Sequence, residues 1–154
     1  MALALFSCRQ QRYQTQNLEN RLDSLELKLA NTYKPGLGEF MSGIQVHHNK
    51  LWFAGKNENW KLAEFEVAEI RETIDDIRKY CTDRPETNSL NIIDQPLQAV
   101  SDAIAQKNPG QFQQSFEGLT VSCNSCHSVT GHAFNVIKVS DTPPFSNQDF
   151  SPGE

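Results

Sequence analysis

No stretch of this sequence approaches the ~18 consecutive apolar residues of a membrane-spanning helix, so no segment is expected to cross a bilayer in that form. Basic side chains are in the minority, 14 against 19 acidic ones, for a formal net charge of -5. Proteins that track phosphates carry a basic footprint, which argues against nucleic acid as a partner. Methionine is nearly missing: Met1 and Met41 are the only two. Cysteine is scarce and uneven, with Cys8, Cys81, Cys123 and Cys126 too few and too scattered for a disulfide scaffold. Period-two alternation backed by hairpin turn residues does not occur, so strand content should be minor. Apolar residues make up 38% of the 154, below the ~45–50% usual for soluble domains. The length still suffices for one buried core, which places the polar excess in extensions around it.

The chain falls into four stretches. Residues 1–8 are apolar and end in Leu5-Phe6-Ser7-Cys8. They resemble the end of a bacterial lipoprotein signal, in which a cysteine after a small residue is lipidated. The resemblance implies a lipid anchor at Cys8 and an exported, periplasmic protein, although a basic start is lacking. Without it, Cys8 is a free thiol. Residues 9–34 place Leu18, Leu22, Leu25 and Leu29 at steps of four, three and four, the stripe of a short helical stalk. That stripe serves either a coiled coil between copies of the chain or packing on its own domain. Lys34-Pro35-Gly36 ends it. Residues 37–130 read as four amphipathic helices with short connections, an all-α four-helix bundle. The first spans about 39–54. The second, capped by Asn57 or Asn59, carries Ala63, Val67, Ile70, Ile74, Ile77 and Cys81 inward, and Glu64, Glu66, Glu69 and Glu72 on a solvated face. The third covers about 92–106. The fourth starts at Asn108-Pro109, a capping Asn before Pro at the first helical position, and presents Phe112, Phe116, Leu119 and Cys123. Residues 131–154 form an irregular, Pro-containing arm.

Chemistry concentrates in Cys123-Asn124-Ser125-Cys126-His127, the C-x-x-C-H signature for attachment of c-type haem. Two thiols three residues apart on one helical turn can each add across a haem vinyl group, and the following imidazole can reach the iron. The rivals are a zinc half-site and a thiol redox pair. Tetrahedral zinc needs four ligands, usually two from a second pair, and no second pair exists. A thioredoxin-type motif expects a neighbouring βαβ pattern, which is absent.

With that motif near the end of its fourth helix, the region 37–130 resembles the cytochromes c prime, the class II c-type cytochromes. The resemblance implies one covalent haem c, with Cys123 and Cys126 as thioethers and His127 as proximal ligand. The stalk and the long segment after His127 depart from that family. His48-Asn49-Lys50-Leu51-Trp52-Phe53-Ala54-Gly55, followed by Asn59-Trp60, is similar to a stretch in small bacterial cytochrome c-like proteins of no settled activity. For the sixth coordination position, no methionine lies downstream of the motif. On a wheel at about 100° per residue, His48 falls near the centre of the first helix's apolar face, between Met41 and Trp52. His48 is therefore the expected distal ligand or pocket residue; His47, Met41 and an open site are the alternatives. His132 reads as a rim residue or plain surface, and Cys81 as core. Trp52 and Phe116, with other aromatics, should supply haem-contacting bulk.

These features point to electron transfer with an unidentified redox partner, with no enzyme activity assigned. A gas-binding or sensing protein with an open distal site is the second possibility, and a haem-free structural lipoprotein is another. A peroxidase-like enzyme ranks below them, for want of an acid–base partner other than the same histidines.

Overall fold

The structure, a computed structural model, describes residues 3–30, 32 and 35–153. Met1, Ala2, Asn31, Tyr33, Lys34, Glu154 and the side chains of residues 3–9 and 30 lie outside the described residues, and the expected anchor at the Cys8 thiol falls among them. The protein is all-α. Its helices are α1 (Leu3–Ala30), α2 (Leu37–Lys56), α3 (Trp60–Tyr80), a 3₁₀ segment (Pro85–Ile93), α4 (Asp94–Ala105) and α5 (Pro109–Val129), and no strand occurs among the described residues. No helix among them is long and apolar enough to cross a membrane.

The chain divides between Lys34 and Pro35 into two units. The first is α1, whose Leu18, Leu22, Leu25 and Leu29 are each more than half exposed. In the second, α2 packs along α3, α3 along α4, α4 along α5, and α5 returns to α2. His48 meets Thr120, Trp52 meets Phe116 and Gly55 meets Phe112, so α2 and α5 run antiparallel. The inward stripes close the core: Leu51 and Ala54 from α2, Ala63, Ile70, Ile74 and Ile77 from α3, Leu97 and Val100 from α4, Phe112, Phe116 and Leu119 from α5. Each large side chain there contributes roughly 1.5–3 kcal/mol by leaving water.

Local chemistry sets the helix ends. Asn59 caps α3, its side-chain oxygen accepting the Leu62 N–H at 3.2 Å, and Asn108 caps α5 by accepting from Gln111 N–H at 3.0 Å. The same two asparagines finish the preceding helices. Asn59 N–H donates to the Ala54 carbonyl and Glu58 N–H to Gly55; Asn108 N–H donates to Ala103 and Lys107 N–H to Ile104. These are Schellman endings with Glu58 (φ 58) and Lys107 (φ 50) in the left-handed position where glycine is usual. One asparagine at each corner thus serves two helices. The third helix begins at Asp94, two residues later than about 92, because Leu90–Ile93 wind as 3₁₀ turns. Pro96 then falls in the first turn, where its missing N–H has no partner to lose.

The segment after Val129 is irregular in conformation but firmly held. Asn124 grips the Ile137 peptide from both sides, its amide donating to the carbonyl and its oxygen accepting the N–H, each at 2.8 Å. Further on, Phe150 is buried 5.7 Å from the Phe53 ring, and Asn59 donates to the Ser151 carbonyl. The arm therefore runs from one end of the helical body to the other.

One expectation is corrected. Glu66 does not share a solvated face with its acidic neighbours: it is 1% exposed. Its Oε2 lies 2.7 Å from His47 Nδ1 and its Oε1 4.0 Å from Lys50 Nζ. Glu66 follows Ala63 by three residues and precedes Ile70 by four, so helical spacing brings it onto the packed flank, where α2 supplies both partners.

Candidate functional site

Helix α5 turns Cys123, Cys126 and His127 toward a cavity of about 190 Å3. Ile44, Ile74, Leu90, Ile93 and Ile137 supply aliphatic wall, and His48 and Met41 reach it from α2. A second cavity of about 220 Å3 adjoins it, sharing Gly38, Met41, Leu90, Cys126, His127 and Asn135 and extending to Arg84, Glu86 and His132. His132 thus lines the second cavity and not the first.

The state of each group follows from its neighbours. His127 Nδ1 lies 2.6 Å from the Asn135 carbonyl oxygen. A carbonyl only accepts, so Nδ1 carries a proton, and in the neutral ring this leaves the lone pair on Nε2. The turn that brings Asn135 round depends on Gly131, at φ 80, and on His132 N–H donating to the His127 carbonyl at 2.7 Å. His48 is 5% exposed, and burial lowers its pKa to about 4, leaving a neutral imidazole at neutral pH. Its ring packs 4.4 Å from the Phe116 centroid. His48 Nε2 stands 2.9 Å from Thr120 Oγ1, and that hydroxyl donates its single proton to the Phe116 carbonyl at 3.0 Å. Nε2 must then be the donor to Thr120, with Nδ1 unprotonated.

The two thiols are free, and both titrate above the ordinary range. Burial, reinforced by neighbouring Cys126, pushes the Cys123 thiol up to about 11, and burial raises Cys126 as well. Cys126 Sγ donates to the Ser89 carbonyl at 3.8 Å. Thiol–disulfide exchange works through a thiolate, and redox-active C-x-x-C pairs have depressed pKa values. This pair has the opposite shift. Among the described residues no three His, Cys, Asp or Glu side chains are grouped as a metal ion would require.

The expected site residues therefore separate. Cys123, Cys126, His127 and His48 come together, with Met41 beside them. Trp52 and Phe116 do not line the cavity; Phe116 lies fully buried behind His48, and Trp52 packs against it, tilted, with centroids 5.1 Å apart. His47 is committed to Glu66. Cys81 is core. Sequence reasoning missed Thr120, Asn124, Asn135 and Ile137. The last two contribute peptide groups, for which no side-chain pattern exists; Asn124, inside the motif itself, was the available signal. Comparison with family models, with curated proteins and with solved structures finds no match.

Proposed function

We propose that this chain is an exported c-type cytochrome that carries one covalent haem and serves in electron transfer, built on a four-helix bundle of the class II kind formed by α2–α5. The observation that carries the proposal is convergence: two thiols, an imidazole with a free Nε2, and a second, neutral imidazole line one apolar cavity. Haem iron supplies the one-electron step when bound.

The residues present fit such a group in chemistry and position. Cys123 and Cys126 would hold the group as thioethers, each S–H adding across one vinyl bond with sulfur on one carbon and the proton on the other; this would need no oxidant or reductant, and protonated thiols suit it. His127 is aimed by the Asn135 carbonyl, the outer hydrogen bond that fixes a ligating histidine's tautomer and orientation. No preformed three-ligand cluster would be needed for iron already held within a macrocycle. The fit in size requires both cavities. Neither reaches the ~300 Å3 at the small end of ligand sites, but the two adjoin along the Met41–Leu90–Cys126 wall.

His48 is the proposed distal ligand, and its bond to Thr120 supports a second possibility. While Nε2–H is donated to Thr120, that nitrogen has no lone pair to offer. A distal site left open would suit a gas-binding or sensing protein, with His48 as a pocket residue.

Expression in a host that makes c-type cytochromes tests the proposal. Haem that stays with the chain after denaturation, and is lost when Cys123 and Cys126 are replaced by Ala, is expected. A chain that acquires no covalent haem would leave a haem-free structural protein instead. Six-coordinate, low-spin bands lost in His48→Ala would assign electron transfer; high-spin bands that shift with CO in the unmutated protein would assign the open site.

A further inference from the structure

The stripe on α1 has a polarity that its leucines alone do not show. With Leu18 and Leu25 at position d of a heptad and Leu22 and Leu29 at position a, the flanking e positions hold Glu19 and Glu26 and the g positions hold Arg21 and Lys28. All four leucines are exposed, between 58% and 65%, on a continuous helix. Over these two heptads, with the leucines in register, acid at e and base at g is complementary in only one arrangement. In parallel helices, g of one chain faces the next e of the other, pairing Arg21 with Glu26 of a second copy, twice by symmetry. In antiparallel helices g faces g and e faces e, which sets like charges together.

We infer that α1 is a self-association element and that its occupant is a second copy of this chain, packed parallel through Leu18, Leu22, Leu25 and Leu29. The seam is short, about two heptads, and Thr15 and Gln11 continue it as polar positions. Association should therefore be concentration-dependent. Parallel pairing brings the C-terminal ends of the two α1 helices together. The inference does not depend on haem.

Arg21 and Glu26 are five residues apart, too far round the helix to bond within one chain, so charge exchange at these positions reads contacts between chains. Sedimentation equilibrium on the full chain, with Cys8→Ser to keep thiol chemistry out, should show a monomer–dimer equilibrium. Arg21→Glu and Glu26→Arg should each weaken it on the order of tenfold, since two symmetric pairs become repulsive. The double variant should restore it. Leu22→Asp should abolish it, with far-UV circular dichroism showing that α2–α5 remain folded. A monomer at every concentration overturns the inference, as does a double variant no tighter than the singles.

Discussion

The two ends of the α2–α5 unit are built on opposite terms. At one end Trp52, Trp60, Phe112 and Phe116 pack together with centroid separations of 5.1–6.3 Å, and Gly55 leaves the Phe112 ring the space a Cβ would take. At the other, the same two helices part around cavities lined by Met41, His48, Cys123, Cys126 and His127. Helices α2 and α5 thus carry their stabilising mass at one end and their chemistry at the other. Close packing without voids holds an interior rigid, whereas a cavity forfeits contacts that a ligand could supply. The closed end fixes the helices so that the open end can keep its groups in place without filling the space between them.

The largest expected effect tests that division directly. Phe112→Ala should cost about 3–5 kcal/mol of unfolding free energy in urea denaturation, because the ring is 1% exposed and its neighbours cannot collapse onto the space. Met41→Ala at the open end should cost less than half as much, since its side chain already borders a cavity. Comparable losses at the two sites would break the comparison.

Acid should find the open end first. The unfolded chain's His48 takes up a proton near 6.5 and the folded one's only near 4. The depressed pKa therefore contributes stability that is complete above pH 6.5, is lost progressively as pH falls to about 4, and levels off below. The full contribution is roughly 3 kcal/mol. Denaturant unfolding of the haem-free chain from pH 4 to 7 should show that slope, and His48→Gln should flatten it. An unchanged slope in the variant would place the acid sensitivity elsewhere.

How far this division was legible in the sequence depends on which groups build each part. Helix stripes at steps of three and four carry the closed end, and Asn59 and Asn108 mark their corners through side chains that cap in any context. The triad at Cys123, Cys126 and His127 is a local spacing, and His48 follows from a wheel. Glu66 was misjudged because its burial is decided by His47 and Lys50 on another helix, which a single helix's pattern does not contain. The wall from Asn135 to Ile137 acts through peptide groups, and backbone acceptors leave no trace in residue type. The leucine stripe of α1 is visible in the sequence, but its spacing leaves open whether a second copy or its own domain covers it; its exposure is a property of the fold.

One substitution made twice on α2 sharpens the contrast further. Gly55→Ala should destabilise by about 1–3 kcal/mol, because its Cβ runs into a buried ring hemmed by Trp52, Trp60 and Phe116. Gly43→Ala, three turns earlier toward the open end, meets nothing within 4 Å. It should stabilise by about 0.4–1 kcal/mol through the reduced freedom of the unfolded chain and alanine's better helix propensity. Thermal unfolding of the two single variants reads both signs, and a loss at Gly43 would contradict the spacing described here.

The smallest effect concerns the corners. Where the chain must turn left-handed at the closed end it does so at Glu58 and Lys107, and where it turns left-handed beyond α5, at the open end, it uses Gly131. A non-glycine residue in that conformation costs about 1–2 kcal/mol, partly returned by the restricted freedom of its unfolded form. The closed end can hold this strain because Asn59 and Asn108 lock each corner with a Schellman bond behind and a cap ahead. Lys107→Gly and Glu58→Gly should therefore each raise stability by up to about 1 kcal/mol, measured as a shift in the denaturation midpoint at unchanged slope. Gly131→Ala should do the reverse and, by displacing the Asn135 carbonyl, free His127 Nδ1. That release would be visible as a change in the His127 ring-nitrogen shifts by NMR, a readout that neither closed-end variant should move.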